Sequence, residues 1–224
     1  MFKMKQISDN LPQTLHRLAM NEYYVHLKCL QMSSIVSLKD AFHEGGKLNL
    51  IVEQPDCSLR ETVLQLGKKQ LKEAEVRKCV HQLLLIVKEL QRKRIKHGRI
   101  TLETVFTKRR SKGLELKLGG LDLAKILKKP GAPDQPSHYK GLSSAVKLAK
   151  KVDDTVSLEL TDDVYDVGMI AFYLLDGVLE SQELFEASVA NFSVEVTEQA
   201  FQSNHWQEVS DQCKELLIFM VHED

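Results

Sequence analysis

Eight histidines, four cysteines and 31 Asp and Glu residues supply this 224-residue chain with the groups that metal or acid–base chemistry uses. Their spacing assembles no familiar site. There is no H-E-x-x-H pair to set two imidazoles on one helix face around zinc, so the histidines read as structural or exposed. Cys29, Cys57, Cys79 and Cys213 lie far apart with no C-x-x-C spacing, which speaks against a zinc ribbon or disulfide framework and for buried thiols in a reducing compartment. Neither a G-x-S-x-G elbow nor a Walker loop is present.

Charge is distributed unevenly. Residues 1–59 hold six Lys/Arg and six Asp/Glu, residues 60–151 hold 24 and 8, and residues 152–224 hold one and 17. Net charge therefore runs 0, +16, −16 along a chain that is neutral in total. Two readings stand: solvated faces that offset one another within one domain, or a dipolar surface whose basic side takes an acidic or phosphorylated protein, with Lys108, Arg109 and Arg110 as the docking residues. The basic runs Lys68-Lys69, Arg92-Lys93-Arg94 and Lys108-Arg109-Arg110 lack the interleaved aromatics on which single-stranded bases stack, so nucleic acid is not the predicted partner. Ser111 follows Arg109-Arg110 as basophilic phosphorylation sites do, a pattern that is common by chance.

Hydrophobic residues make up 43% of the chain and charged residues 28%, as in an ordinary folded domain. Gly and Pro together are 16 of 224 residues, few enough breakers to predict a helix-rich fold. The longest apolar runs, 83–87 and 169–175, are far shorter than a membrane span and the N-terminus has no apolar leader, so the prediction is a cytoplasmic protein with no membrane partner.

Apolar spacing predicts a helix from Pro12 to Leu30, then strands over 35–42 and 48–52 joined through Gly45-Gly46, a pair that accepts the positive φ of a tight turn. Val76, Val80, Leu83, Val87 and Leu90 step by four and three along one helical face. Strands over 100–106 and 114–118 form a second hairpin. Residues 128–142, with three of the five prolines, read as an irregular loop, and 164–175 as a helix buried on all sides. Helical patterns return over 183–189 and 207–220.

Several short strings lie along this succession of elements. They are Met4-Lys5-Gln6-Ile7, with Glu22 at helix distance beyond it; the strand 47–53; Ser58-Leu59-Arg60; His97-Gly98-Arg99-Ile100-Thr101-Leu102-Glu103-Thr104; Gly120-Leu121-Asp122; and Asp163-Val164-Tyr165-Asp166-Val167-Gly168. In this order they resemble a protein kinase catalytic domain of NIMA-related (NEK) Ser/Thr kinase appearance. The resemblance covers nearly the whole chain and implies an α+β, two-lobed fold. Residues 1–54 would be a reduced N-lobe (third strand, C-helix and hairpin to the hinge, without a Gly-rich loop). Residues 55–224 would be a mainly helical C-lobe that ends before the usual last helices.

The same alignment implies lost chemistry. Phosphoryl transfer depends on positioned charges: a base carboxylate, metal-binding oxygens and a lysine on the phosphates. The base position reads Arg99, the catalytic-loop lysine Thr101, the metal-binding asparagine Thr104 and the metal-binding aspartate Gly120, while Asp122 stands two residues too far on to replace it. Lys5, Glu22 and Glu53 remain as a cofactor-binding remnant. His97, Leu121, Asp163 and Gly168 correspond to structural positions. The resemblance thus implies a pseudokinase without metal or cofactor that binds other proteins, an active kinase or a cytoskeletal component among them, in a cytoplasmic and cytoskeleton-associated setting. The alternatives are a nucleotide-binding switch without phosphotransfer and a divergent, weakly active Ser/Thr kinase.

Overall fold

The computed structural model describes residues 2–8, 13–67, 70–110, 113–127, 163–177, 201–202 and 204–221. The expected loop over 128–142, the helix over 183–189, Pro12 and Ser111 lie outside the described residues.

Three antiparallel strands form the first sheet, in the order β1 (Phe2–Ser8), β3 (Lys47–Glu53), β2 (Leu38–Glu44). The turn between β2 and β3 is made by Gly45 and Gly46, with φ of 57° and 68°. Positive φ at both central residues matches the right-handed strand twist and costs glycine little, which is why the expected hairpin forms there. Helix α1 (Gln13–Lys28) follows β1, and Ile7, Leu38, Leu48 and Leu50 form a small core of their own with Met20 and Tyr23 of α1 packed against it.

One strand starts later than its apolar pattern predicts. Residues 35 and 36 are apolar and extended in character, but Leu118 takes their backbone: its carbonyl accepts from Val36 N at 2.9 Å, and its own N–H donates to Ser34 O at 2.8 Å. The strand β2 therefore begins at Leu38.

The larger core gathers around two helices. In α3 (Glu73–Arg92) the buried positions are Val76, Cys79, Val80, Leu83, Ile86, Val87 and Leu90, the expected stripe widened by Cys79 and Ile86. Helix α4 (Asp163–Asp176) is buried continuously from Val167 to Leu175 and packs on α3 and on α5 (Asp211–Val221). Between β4 (Cys57–Ser58) and α3 lies the short helix α2 (Leu59–Gln65), capped reciprocally: Ser58 Oγ accepts from Glu61 N at 3.2 Å and the Glu61 carboxylate accepts from Ser58 N at 2.8 Å. Polar contacts fix the last helical stretch. Trp206 Nε1 donates to Asp176 at 2.7 Å, and Ser210 N to Glu73 at 2.8 Å.

Remaining strands are β5 (Ile95–Lys96) with β8 (Lys125–Ile126), and the hairpin β6 (Val105–Arg110) with β7 (Gly113–Leu118), to which β4 adds. The strand expected over 100–106 begins only at Val105. Residues 101–104 form a turn, because Thr104 Oγ1 accepts from Thr101 N at 2.8 Å and offers the backbone a local partner in place of a ladder.

Gly168 lies where α4 packs against α5: a Cβ there would stand 2.8 Å from Met220 Cβ and 2.8 Å from Val221 Cγ1. Gly168→Ala is expected to destabilise by about 1–3 kcal/mol through overpacking. At roughly 2–4 °C per kcal/mol for a chain of this length, calorimetry would read that as a fall in Tm; an unchanged Tm would show that the helices separate freely.

Candidate functional site

The site is built on the loop 97–104, which the start of α4 holds in place. The Asp163 carboxylate, 1% exposed, accepts from His97 N and Gly98 N at 2.8 Å each, and Asp166 accepts from Ile100 N at 2.7 Å. Negative charge is favoured at a helix N-terminus, and two charge-assisted hydrogen bonds offset the cost of burying it. His97 is fully buried. Its Nδ1 accepts from Arg99 N at 3.3 Å, so Nε2 carries the proton and donates to Gly119 O at 2.9 Å. Burial pushes the His97 imidazole below its ordinary pKa, against the opposing pull of the Gly119 carbonyl and Asp163.

Beyond Gly119 the chain turns at Gly120, with φ 71° and ψ 45°, into a 3-10 turn over Leu121–Leu123. Leu121 is fully buried. A Cβ on Gly120 would meet Thr104 Cγ2 at 2.7 Å, so the missing side chain at 120 and the branched one at 104 fit each other. The Thr104 hydroxyl is turned into its own loop, with Arg99 O and Thr101 O both at 3.2 Å. Arg99 reaches across to Asp122, its Nη2 3.4 Å from Oδ1. Both side chains are partly exposed, which limits that pair to at most about 1 kcal/mol.

On the sheet side, β1 places Lys5 opposite Leu50, and Lys5 Nζ is paired with the carboxylate of Glu22 on α1. The amide Nδ2 of Asn21 donates to Ala124 O at 2.7 Å and to Asp122 O at 3.2 Å, tying α1 to the 3-10 turn. Nothing in the sequence pattern marks Asn21 for this. Its partners are backbone carbonyls about a hundred residues away.

Glu53 sits apart from these groups. Its carboxylate is held by Lys117 Nζ at 2.6 Å, Lys108 Nζ at 2.9 Å and Ser37 Oγ at 3.1 Å. Burial works to raise the Glu53 carboxyl, but the hydrogen bonds from Lys117 and Lys108 prevail and pull it down to about 2. The network engages both oxygens of the side chain. Arg109 and Arg110 continue β6 beyond Lys108. Among the described residues, no three His, Cys, Asp or Glu side chains come together as a metal would need. Burial raises the thiols of Cys29 and Cys79 to about 11, away from thiolate chemistry.

A strand lysine on a helix glutamate, a buried histidine loop anchored by a helix-start aspartate and a glycine turn beyond it form one connected frame. The family model for the protein kinase domain matches residues 1–224. The chain belongs to that family. A titin homolog of Caenorhabditis elegans is 27% identical to this kinase domain over 227 residues, covering 99% of the chain. The chain spans about 1% of the length of that curated relative. Within the family frame, the α+β content is that of the structure, and no described helix is long and apolar enough to cross a membrane.

Gly120→Asp is expected to cost about 1–3 kcal/mol, since it combines a left-handed backbone with a 2.7 Å clash against Thr104; a Tm equal to that of the parent would refute the packing account. A second prediction concerns acid. Burial, and then Lys5, push His26 down to about 4, and His97 is lowered too. Each imidazole is neutral when folded and binds a proton more readily when unfolded. Their contribution is complete above pH ~6.5 and lost as pH falls through the folded values, with His26 accounting for a loss of order 3 kcal/mol by pH 4. Urea unfolding across pH 7 to 4 should show that decline, and His26→Gln should flatten it.

Proposed function

We infer that this chain is a catalytically inactive kinase domain, a pseudokinase, that acts by binding other proteins as a scaffold or allosteric regulator. The observation that carries the reading is Arg99. At the position of the catalytic base it presents a guanidinium, which accepts no proton from a substrate hydroxyl, and that guanidinium is paired with Asp122. Gly120 and Thr104, at the two metal-binding positions, pack on each other and direct no ligand oxygen outward. In this reading residues 1–54 are a reduced N-lobe and residues 55–224 the C-lobe. The NIMA-related appearance of Met4-Lys5-Gln6-Ile7 favours an active kinase or a cytoskeletal component as partner, in the cytoplasm.

One observation favours a second reading. Lys5 and Glu22 keep the ion pair that positions a lysine for phosphates, so the domain would bind nucleotide as a switch without transferring phosphate.

Thermal unfolding with millimolar ATP or ADP, with and without magnesium, separates the two. A ligand at a hundred times its Kd stabilises by about 2.7 kcal/mol, a rise of roughly 5–10 °C here. No shift is expected for a scaffold. A shift abolished by Lys5→Ala would put the switch first, and phosphate transfer to a generic acceptor protein, lost in Lys5→Ala, would overturn both readings.

A further inference from the structure

A cavity of about 470 Å³ opens between the β6–β7 hairpin, the start of β2 and the end of β3, and none of its lining residues belongs to the Arg99, Thr104 and Gly120 cluster. Its charge is concentrated. Lys39, Lys108 and Lys117 line it against a single carboxylate, Glu53, leaving a net +2. Ser33 and Ser37 add hydroxyls to the wall.

Lys117 is the unusual member. It is 7% exposed, and a lysine that deeply buried needs its charge met and its three N–H donors satisfied. Among the described residues Glu53 is its hydrogen-bond acceptor, and the other oxygen of the same carboxylate serves Lys108. One carboxylate thus holds two ammonium groups side by side, with donors left over and a space beside them. Lys39, exposed at the rim, stands with its Nζ 5.9 Å from the Phe2 ring centroid.

We propose that this pocket is a phosphate-recognition site, taking the phosphoryl group of a phosphoserine or phosphothreonine on a partner protein. The chemistry fits a phosphoryl group better than a carboxylate. A dianion with three terminal oxygens neutralises the net +2 and offers an acceptor to each lysine, whereas an Asp or Glu side chain leaves one positive charge unmet. The Glu53 carboxylate acts as the spacer that holds Lys108 and Lys117 at a fixed separation before the ligand arrives, so little ordering is required on binding. The proposal rests on the reading that the chain works by binding proteins, and it names the chemistry by which one partner is selected.

The test uses fluorescence anisotropy with three labelled pentapeptides that differ only at the central residue: phosphoserine, serine and glutamate. The phosphoserine peptide is expected to bind at least about tenfold more tightly than the other two, and to weaken as salt is raised. Lys117 is too buried to replace safely, so the variant is Lys39→Gln with Lys108→Gln, the exposed lysine of the rim and the half-buried one that shares Glu53. It should lose at least about tenfold in affinity for the phosphoserine peptide, while Lys88→Gln, on the exposed side of α3, should lose none. Equal binding of all three peptides, or full binding by the double variant, would overturn the proposal. Because no step of this measurement involves nucleotide or phosphate transfer, its failure leaves the reading of the Arg99 site standing, and a failure of that reading leaves this result intact.

Discussion

The buried carboxylate of Asp163 holds two consecutive backbone N–H groups, those of His97 and Gly98, and the geometry of the site follows from that grip. With the loop pinned there, the His97 ring is fixed between Arg99 N on one side and Gly119 O on the other. Gly119 O in turn sets where β7 ends and where the turn at Gly120 begins. Removing the carboxylate would leave the buried His97 N–H without a partner, a cost of about 1–3 kcal/mol, together with the half-buried Gly98 N–H, and would unfasten α4 from the loop at the same time. Such an anchor asks nothing of phosphate chemistry. It has the same value to a fold that catalyses and to one that only presents a surface.

Gly120, Thr104, Arg99 and Asp122 are fitted to one another. The absent side chain at Gly120 leaves the space that the Thr104 methyl occupies, and the hydroxyl of Thr104 closes the turn that carries Arg99. Arg99 then meets Asp122 beyond the glycine. Altering one of these residues alone would create a clash or strand a charge. Together the four residues form a small packed and hydrogen-bonded unit.

Much of the fold was legible because it is periodic or local. The stripe on α3, the unbroken apolar run of α4 and the Gly45-Gly46 turn each leave a signature within a few residues of sequence. The delayed starts of β2 and β6 were not legible, because they depend on which distant or side-chain partner captures a backbone group: Leu118 for Val36, and a threonine hydroxyl for Thr101. The Glu53–Lys117 pair spans 64 residues, and a lysine between Leu116 and Leu118 reads as the outward position of an alternating strand. Its burial comes from the segment 33–37 and the end of β3 lying over the hairpin. Asp166 had a fainter signal, three residues after Asp163 on the same side of a helix start. Asn21 had none.

That asparagine bears on how the domain would meet a partner. In the structure α1 is fastened to the 3-10 turn by a side-chain amide on two carbonyls and to β1 by the Lys5–Glu22 pair, all groups of the chain itself. A protein that reads the exposed side of α1 finds the helix already seated. It has no ordering entropy to overcome and no preceding ligand to wait for. Occupancy of such a surface would follow the concentrations of the two proteins relative to their Kd, with no conformational gate between them.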